Sequence, residues 1–221
     1  MTSDGFVAQV RIDWGEDSGG PITDVQILSW GNRAQRILAS RGVLLTCWST
    51  TTVAGQETYN LPTDYYKIDS IFDDDQAPAP KLFPMGVGDR TGEPGTPRRY
   101  WLWQENLSLS SIRTFGLHPV PDTNGTLKNL HVFGLQMPQT MALSSPGPAV
   151  NPEVDPIWQD AMADYALMCI YRRLGPDYGG DFRAQTELWQ NWLRQADQYS
   201  LVNDYVHHRM DTAGNTVEYG D

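Results

Sequence analysis

Residues 55–69 read GQETYNLPTDYYKID. A Gly-Gln turn leads into the alternating run Glu57–Leu61, and Pro62 halts that run because proline brings no N–H to a ladder. The aromatic run from Tyr65 then resumes an extended pattern, and alternation at a period of two marks strands rather than helices. Outward from there, WSTTTV (48–53) and ETYNL (57–61) flank Ala54, Gly55 and Gln56 and predict a hairpin, with YYKIDSIF (65–72) as the next strand. RRYWLWQE (98–105), LSLSSIRTFGL (107–117) and LKNLHVFGLQM (127–137) continue the pattern, with Tyr100 and Leu102, and Leu107 and Leu109, alternating. The middle of the chain is therefore expected to form an antiparallel sheet of about six strands. DDDQAPAPK (73–81) and GVGDRTGEPGTP (86–97) read as mobile loops.

Helical periods bracket this region. From 21 to 42, Ile27, Leu28, Ala34, Ile37 and Leu38 share a face, with Thr23 as N-cap and Gly42 as C-cap, while Gly31 inside the pattern signals packing or a close approach. After a proline- and serine-rich linker at 138–150, Asp155 and Pro156 open a second helix with Trp158, Ala161, Met162, Tyr165, Met168 and Cys169 on one side. Past a turn at 175–180, Asp181 caps a third, with Ala184, Leu188, Trp192 and Ala196 inward. The fold class expected is α+β. A three-helix bundle (21–43 and 151–202, one N-terminal helix and two antiparallel C-terminal helices) carries an inserted β-rich domain with its linker (44–150), an N-terminal arm (1–20) and an extended C-terminal tail (203–221).

Charge narrows the function. The chain of 221 residues has 27 acidic and 16 basic side chains, a net charge of −11, so gripping nucleic acid through phosphates is disfavoured. Its 40% hydrophobic content suffices for a packed core. The N-terminal sequence has no basic start followed by an apolar run, and no stretch is long enough to span a bilayer. Production in a cytosol, with no membrane partner, is the expectation, and Asn106 and Asn124 then lie in sequons without a glycosylation context.

No stretch carries a catalytic signature. Cys47 and Cys169 are distant and without CxxC spacing, and are expected as reduced thiols. His118 and His131 fall in the sheet as structural residues, while adjacent His207 and His208 point apart and make a poor metal pair. Asp73–Asp75 would need Gly and Glu where a calcium loop has them, but Pro78 and Pro84 stand there. No nucleophile elbow occurs, and the glycines of 86–97 lack the strand and helix that phosphate binding requires. No catalytic residue, metal or cofactor is expected. Trp101 and Trp103 share one side of a strand and could offer a sugar platform, although a core or subunit contact is the plainer use.

The order of the elements resembles the head-to-tail adaptor proteins of tailed bacteriophages, including the tail tubular protein A type of short-tailed phages. The residues that carry the likeness are Gly55, Gln56, Tyr59, Leu61 and Pro62; Gly95, Pro97 and Tyr100; Leu117, Pro119, Pro121 and Asp122; and the helix from Asp155 to Tyr171 followed by Arg172 and Arg173. The resemblance covers roughly residues 22–200 as a series of short motifs, each weak alone. It implies a homo-oligomeric ring of about twelve copies. Such a ring sits in the virion neck beneath the portal protein, with a tail or further neck protein below and genomic DNA passing through the lumen without specific binding. Arg172, Arg173, Tyr205, His207, His208, Val217 and Tyr219 are the expected contacts with portal or neighbouring adaptor, the tail ordering on assembly. Two rival readings are a virion-associated cell-wall hydrolase, which needs a close pair of carboxylates, and a carbohydrate-binding β module.

Overall fold

The computed structural model describes residues 1–16, 20–76, 79–103 and 114–213. The protein is mixed α+β, with four helices and several small sheets among the described residues. Two compact units divide the chain: Met1–Leu44 with Met137–Leu201, and Leu45–Gln136 with the C-terminal residues from Val202. No helix among the described residues is long and apolar enough to cross a membrane.

The first unit holds the helices. Where an N-terminal arm is expected, α1 (Ser3–Trp14) forms instead, with Thr2 as N-cap accepting from the Gly5 N–H. Asp4 and Asp13 are its acidic residues, and Phe6, Val7 and Val10 stand at i, i+1 and i+4 and are buried. α2 (Asp24–Ser40) opens on a full capping box, Thr23 and Gln26 each accepting from the other's backbone. It ends on a Schellman motif: Gly42, at φ 88°, donates to the Ala39 carbonyl and Val43 donates to that of Leu38. Only glycine takes that left-handed turn without cost. The Val43 and Leu38 side chains are both buried, as the motif's apolar contact requires.

The stretch expected as a linker, 138–150, sends Met141 into this unit's core, while 144–149 are exposed. Asn32 of α2 accepts from Met141 N–H at 2.7 Å and donates to its carbonyl at 3.2 Å, imitating a strand partner. Ser3 donates to the Ala142 carbonyl, and Met141 is 2% exposed. α3 (Pro156–Leu174) starts with Pro156 at its first position, although the Asp155 carboxylate makes no capping bond. It is buried along Trp158, Ala161, Met162, Tyr165, Ala166 and Ile170 and also at Gln159, Ala163 and Leu167 on a second side, so it is the central helix rather than a one-faced one. The Ser3 N–H donates to Asn151 shortly before α3, and Asp24 of α2 pairs with Arg11 of α1.

α4 (Gly179–Ala213) corrects the extended-tail expectation: the helix runs on through 203–213, and residues 214–221 lie outside the described set. No glycine or proline stands between Asp181 and Ala213, so nothing local stops the helix once it is running. Its inward stripe is Gln185, Trp189, Trp192 and Ala196; the expected Ala184 and Leu188 face outward, Leu188 at 43% exposure. Four helices, not three, therefore pack in this unit.

In the second unit the strands form three sheets rather than one. β1 (Leu45–Thr50), β9 (Leu130–Gln136) and β3 (Tyr65–Asp73) form an antiparallel sheet in the order β1-β9-β3. A second sheet runs β2 (Thr58–Asn60), β7 (Thr114–His118), β6 (Arg99–Trp103) and β4 (Phe83–Pro84), and the short pair β5 (Pro94–Gly95) and β8 (Val120–Pro121) makes the third. Tyr59, Phe115, Leu117 and Tyr100 from the second sheet share one core with Ile68, Ile71, Leu130 and Val132 from the first.

The expected hairpin of 48–53 with 57–61 does not form. β1 pairs with β9 and β2 with β7, so the Gly55 turn is a corner between two sheets. The threonines explain the change. Thr51 Oγ1 accepts from Lys128 N–H, and Thr52 exchanges hydrogen bonds with buried Asn129, so this stretch is spent on the 126–129 turn instead of a ladder.

Candidate functional site

The motifs between Gly55 and Asp122 that looked weak singly lie together in the second unit. Gly55, at φ 78°, donates its N–H to the Pro121 carbonyl at 2.8 Å. Gly95 pairs with Pro121 in the parallel β5–β8 ladder, where a Cβ on Gly95 would lie 3.3 Å from Pro119. Tyr100 pairs with Leu117, and Tyr59 stacks on Phe115 at 5.5 Å and accepts from Val53 N–H through its hydroxyl. Gly55, Tyr59, Leu61, Gly95, Tyr100, Leu117, Pro119 and Pro121 thus build one local scaffold in which backbone groups, not reactive side chains, meet.

Two clusters here have chemical character. His131 holds Asp74 Oδ2 at 2.7 Å through Nε2 and Ser49 Oγ at 2.9 Å through Nδ1, with Cys47 Sγ 4.0 Å from Nδ1. Burial pushes the Cys47 thiol up, only partly offset by the Ser49 hydroxyl and reinforced by the Asp74 charge, so it is held as thiol rather than thiolate. Among the described residues no group of three His, Cys, Asp or Glu side chains is placed to hold a metal ion. The cluster ties the turn after β3 to the β1–β9 edge. No sequence signal foretold it, since it depends on the register that sets Ser49 opposite His131.

Trp101 is the second. It is 3% exposed, lies against Gly116 and is covered by the Arg90 guanidinium 4.4 Å from its ring, so it presents no open platform to a sugar. The Trp103 side chain lies outside the described set.

In the helical unit the charged groups sort by side. Arg172 and Arg173 occupy the last turn of α3, exposed, where cations complement the helix dipole. Arg33 and Arg36 stand one turn apart on the exposed stripe of α2. None of the four has an ion-pair partner among the described residues. Burial pushes the Cys169 thiol up, while the Tyr165 hydroxyl and the charges of Arg33 and Arg172 pull it down. Both arginines therefore lie about the same point between α2 and α3. The Arg33 and Arg36 contribution was hidden in the sequence, because an exposed stripe is polar whether or not it is paired.

Acidic groups collect elsewhere on α3. Burial first, then the neighbouring Asp160 and Asp13, push the Asp164 carboxyl up, against the Trp192 Nε1–H that donates to it at 2.7 Å. Tyr171 is raised by burial and then by Asp181 and Asp13. Asp13 of α1 is thus near both Asp164 and Tyr171 of α3, with Asp160 one turn before Asp164 and Asp181 of α4 near Tyr171. Of the expected tail contacts, Tyr205, His207 and His208 fall on α4 with side chains outside the described set, and Val217 and Tyr219 lie outside the described residues.

No curated protein matches the chain significantly. The model of one family, described as SU10 adaptor protein, matches residues 1–217. With nearly every residue of the chain inside that match, the chain belongs to the SU10 adaptor protein family, and is a structural adaptor protein of a bacteriophage.

Proposed function

We propose that identical copies of this chain close into a ring of about twelve at the neck of the virion. The ring sits between the portal vertex and the tail, as a head-to-tail adaptor of the tail tubular protein A kind. The family match over residues 1–217 carries this reading. Portal protein lies on one side, a tail or further neck protein on the other, and the genome passes through the centre unbound. A net charge of −11 suits that passage, because an acidic wall repels phosphates and lets the duplex slide, whereas a basic one would hold it. Arg172, Arg173 and the C-terminal end of α4 with the residues that follow it serve as contacts to portal or neighbouring copies. The motif residues from Gly55 to Asp122 serve the scaffold. Electron microscopy of the purified protein mixed with purified portal protein of the same phage tests it. A ring of adaptor seated on the portal is expected, and solitary chains beside bare portals would overturn the reading.

A further inference from the structure

The helical unit carries two oppositely charged faces separated around one helix. At roughly 100° per residue, Asp160, Asp164 and Tyr171 fall within about 40° of one another on α3, whereas Tyr165, Cys169 and Arg172 centre about 130° further round. The first stripe faces Asp13 of α1 and Asp181 of α4. On the second, Tyr165 is buried against Trp189 of α4 and Cys169 is half-buried, and the charges beside them are Arg172 itself and Arg33 of α2. Where ion pairs within the unit do form, Arg11 with Asp24 and Arg41 with Asp197, they use neither stripe.

We infer that the Arg33–Arg36–Arg172–Arg173 face of one copy seats against the Asp13–Asp160–Asp181 face of the next, making the contact that closes the ring. This rests on the ring reading proposed above. The commitment to a second copy, not to DNA, follows from complementarity on the chain itself. The four exposed arginines have no ion-pair partner among the described residues of a chain with eleven more acids than bases, so none of Asp13, Asp160 and Asp181 pairs with them within one copy; on α3 itself Asp160 stands roughly 18 Å along the axis from Arg172. Two unlike faces that complement each other give a heterologous contact, which repeats head to tail and closes by rotation; a two-fold dimer would need one self-complementary face. Charges of opposite sign also fix which faces meet and reject the reversed pairing. The contact is weakened as ionic strength rises, because the Debye length falls to about 10 Å at 0.1 M salt.

The test reverses each face in the full-length protein. Arg33→Glu with Arg172→Glu reverses one, Asp13→Arg with Asp160→Arg reverses the other, and a four-site variant reverses both. All four positions are exposed, and circular dichroism and melting confirm folding. Assembly is read by native mass spectrometry and sedimentation, alone and on portal protein. Each single-face variant should need on the order of a hundredfold more protein to assemble, as like charges are brought together. The four-site variant, and an equimolar mixture of the two single-face variants, should assemble again. Single-face variants that form rings as readily as wild type overturn the inference and leave the ring reading standing. An Arg→Glu variant that keeps its ring but leaves the portal also overturns it, assigning the basic face to portal instead. If wild type forms no ring even with portal, the ring reading itself fails.

Discussion

Gly31 shows what one missing methyl group does. Inside α2 a glycine should cost about 1 kcal/mol against alanine. A Cβ there would come within 2.5 Å of the Phe6 ring edge and 2.9 Å of Met141 Cε, so the glycine lets α1 and the 138–150 stretch close on α2. The propensity gain of alanine is therefore outweighed by overpacking, which costs roughly 1–3 kcal/mol in a filled core. Gly31→Ala should lower stability by about 1–2 kcal/mol, seen as a reduced denaturant midpoint; a rise in midpoint would show that Phe6 moves aside freely. Gly31 was legible as an anomaly in the sequence, a glycine against a helical period. What approached it was not, because Phe6 sits in a stretch whose acidic residues read as an arm.

Between elements, α4 is held to α3 by rings. Trp158 meets Trp192 and Tyr199, and Tyr165 meets Trp189, all edge-to-face at centroid separations of 4.8–6.1 Å. Asp164 is the polar member of this seam, accepting from Trp192. Its carboxyl is raised by burial and by Asp160 and Asp13, so the fold prefers it protonated. The stability linked to that preference is fully present below the ordinary carboxyl value near pH 4 and is lost as pH rises through the raised folded value. At neutral pH the ionised group is a cost. Asp164→Asn keeps an oxygen for the Trp192 N–H and removes the charge, so it should raise the melting temperature at pH 7 by roughly 2 °C and much less at pH 4. Melts at both values check this, and a lower melting temperature at pH 7 would mean that the charge strengthens the Trp192 bond more than burial penalises it. The helices themselves were readable from capping and period: Thr23, Gly42 and Pro156 stand at the ends that the structure gives α2 and α3. The face of α4 was misread because Leu188 is apolar yet exposed, while Gln185 is polar yet turned inward. The strand from Tyr65 was equally readable, but its partner was not. The end of β1 is tied to the turn before β9 by Thr51, Thr52 and Asn129 across 77 residues, and β2 meets β7 across more than fifty, and no local pattern encodes either.

For the whole molecule, the motif residues could be read as a series, yet their meaning lay in the way Gly55, Gly95 and Pro121 meet through backbone groups. The charged faces were less legible still, since a sequence gives the number of arginines but not which remain unpaired after folding. The C-terminal part of α4 offers the clearest separation of fold from assembly. Its buried anchors, Trp189 at 6% exposure and Ala196 fully buried, together with Trp192, all precede residue 203. A chain lacking 203–221 should therefore keep its helical unit, with a melting temperature within about 4 °C of wild type, a change of no more than roughly 1 kcal/mol in a protein of this size. Under the adaptor reading, the same chain loses a segment that contacts portal or a neighbouring copy, so its retention on portal particles in a sedimentation assay should fall at least about tenfold, the equivalent of 1.4 kcal/mol. A truncated chain that melts normally and still sediments with portal as wild type does would remove the C-terminal segment from the attachment and leave it to the arginine-bearing face of α2 and α3.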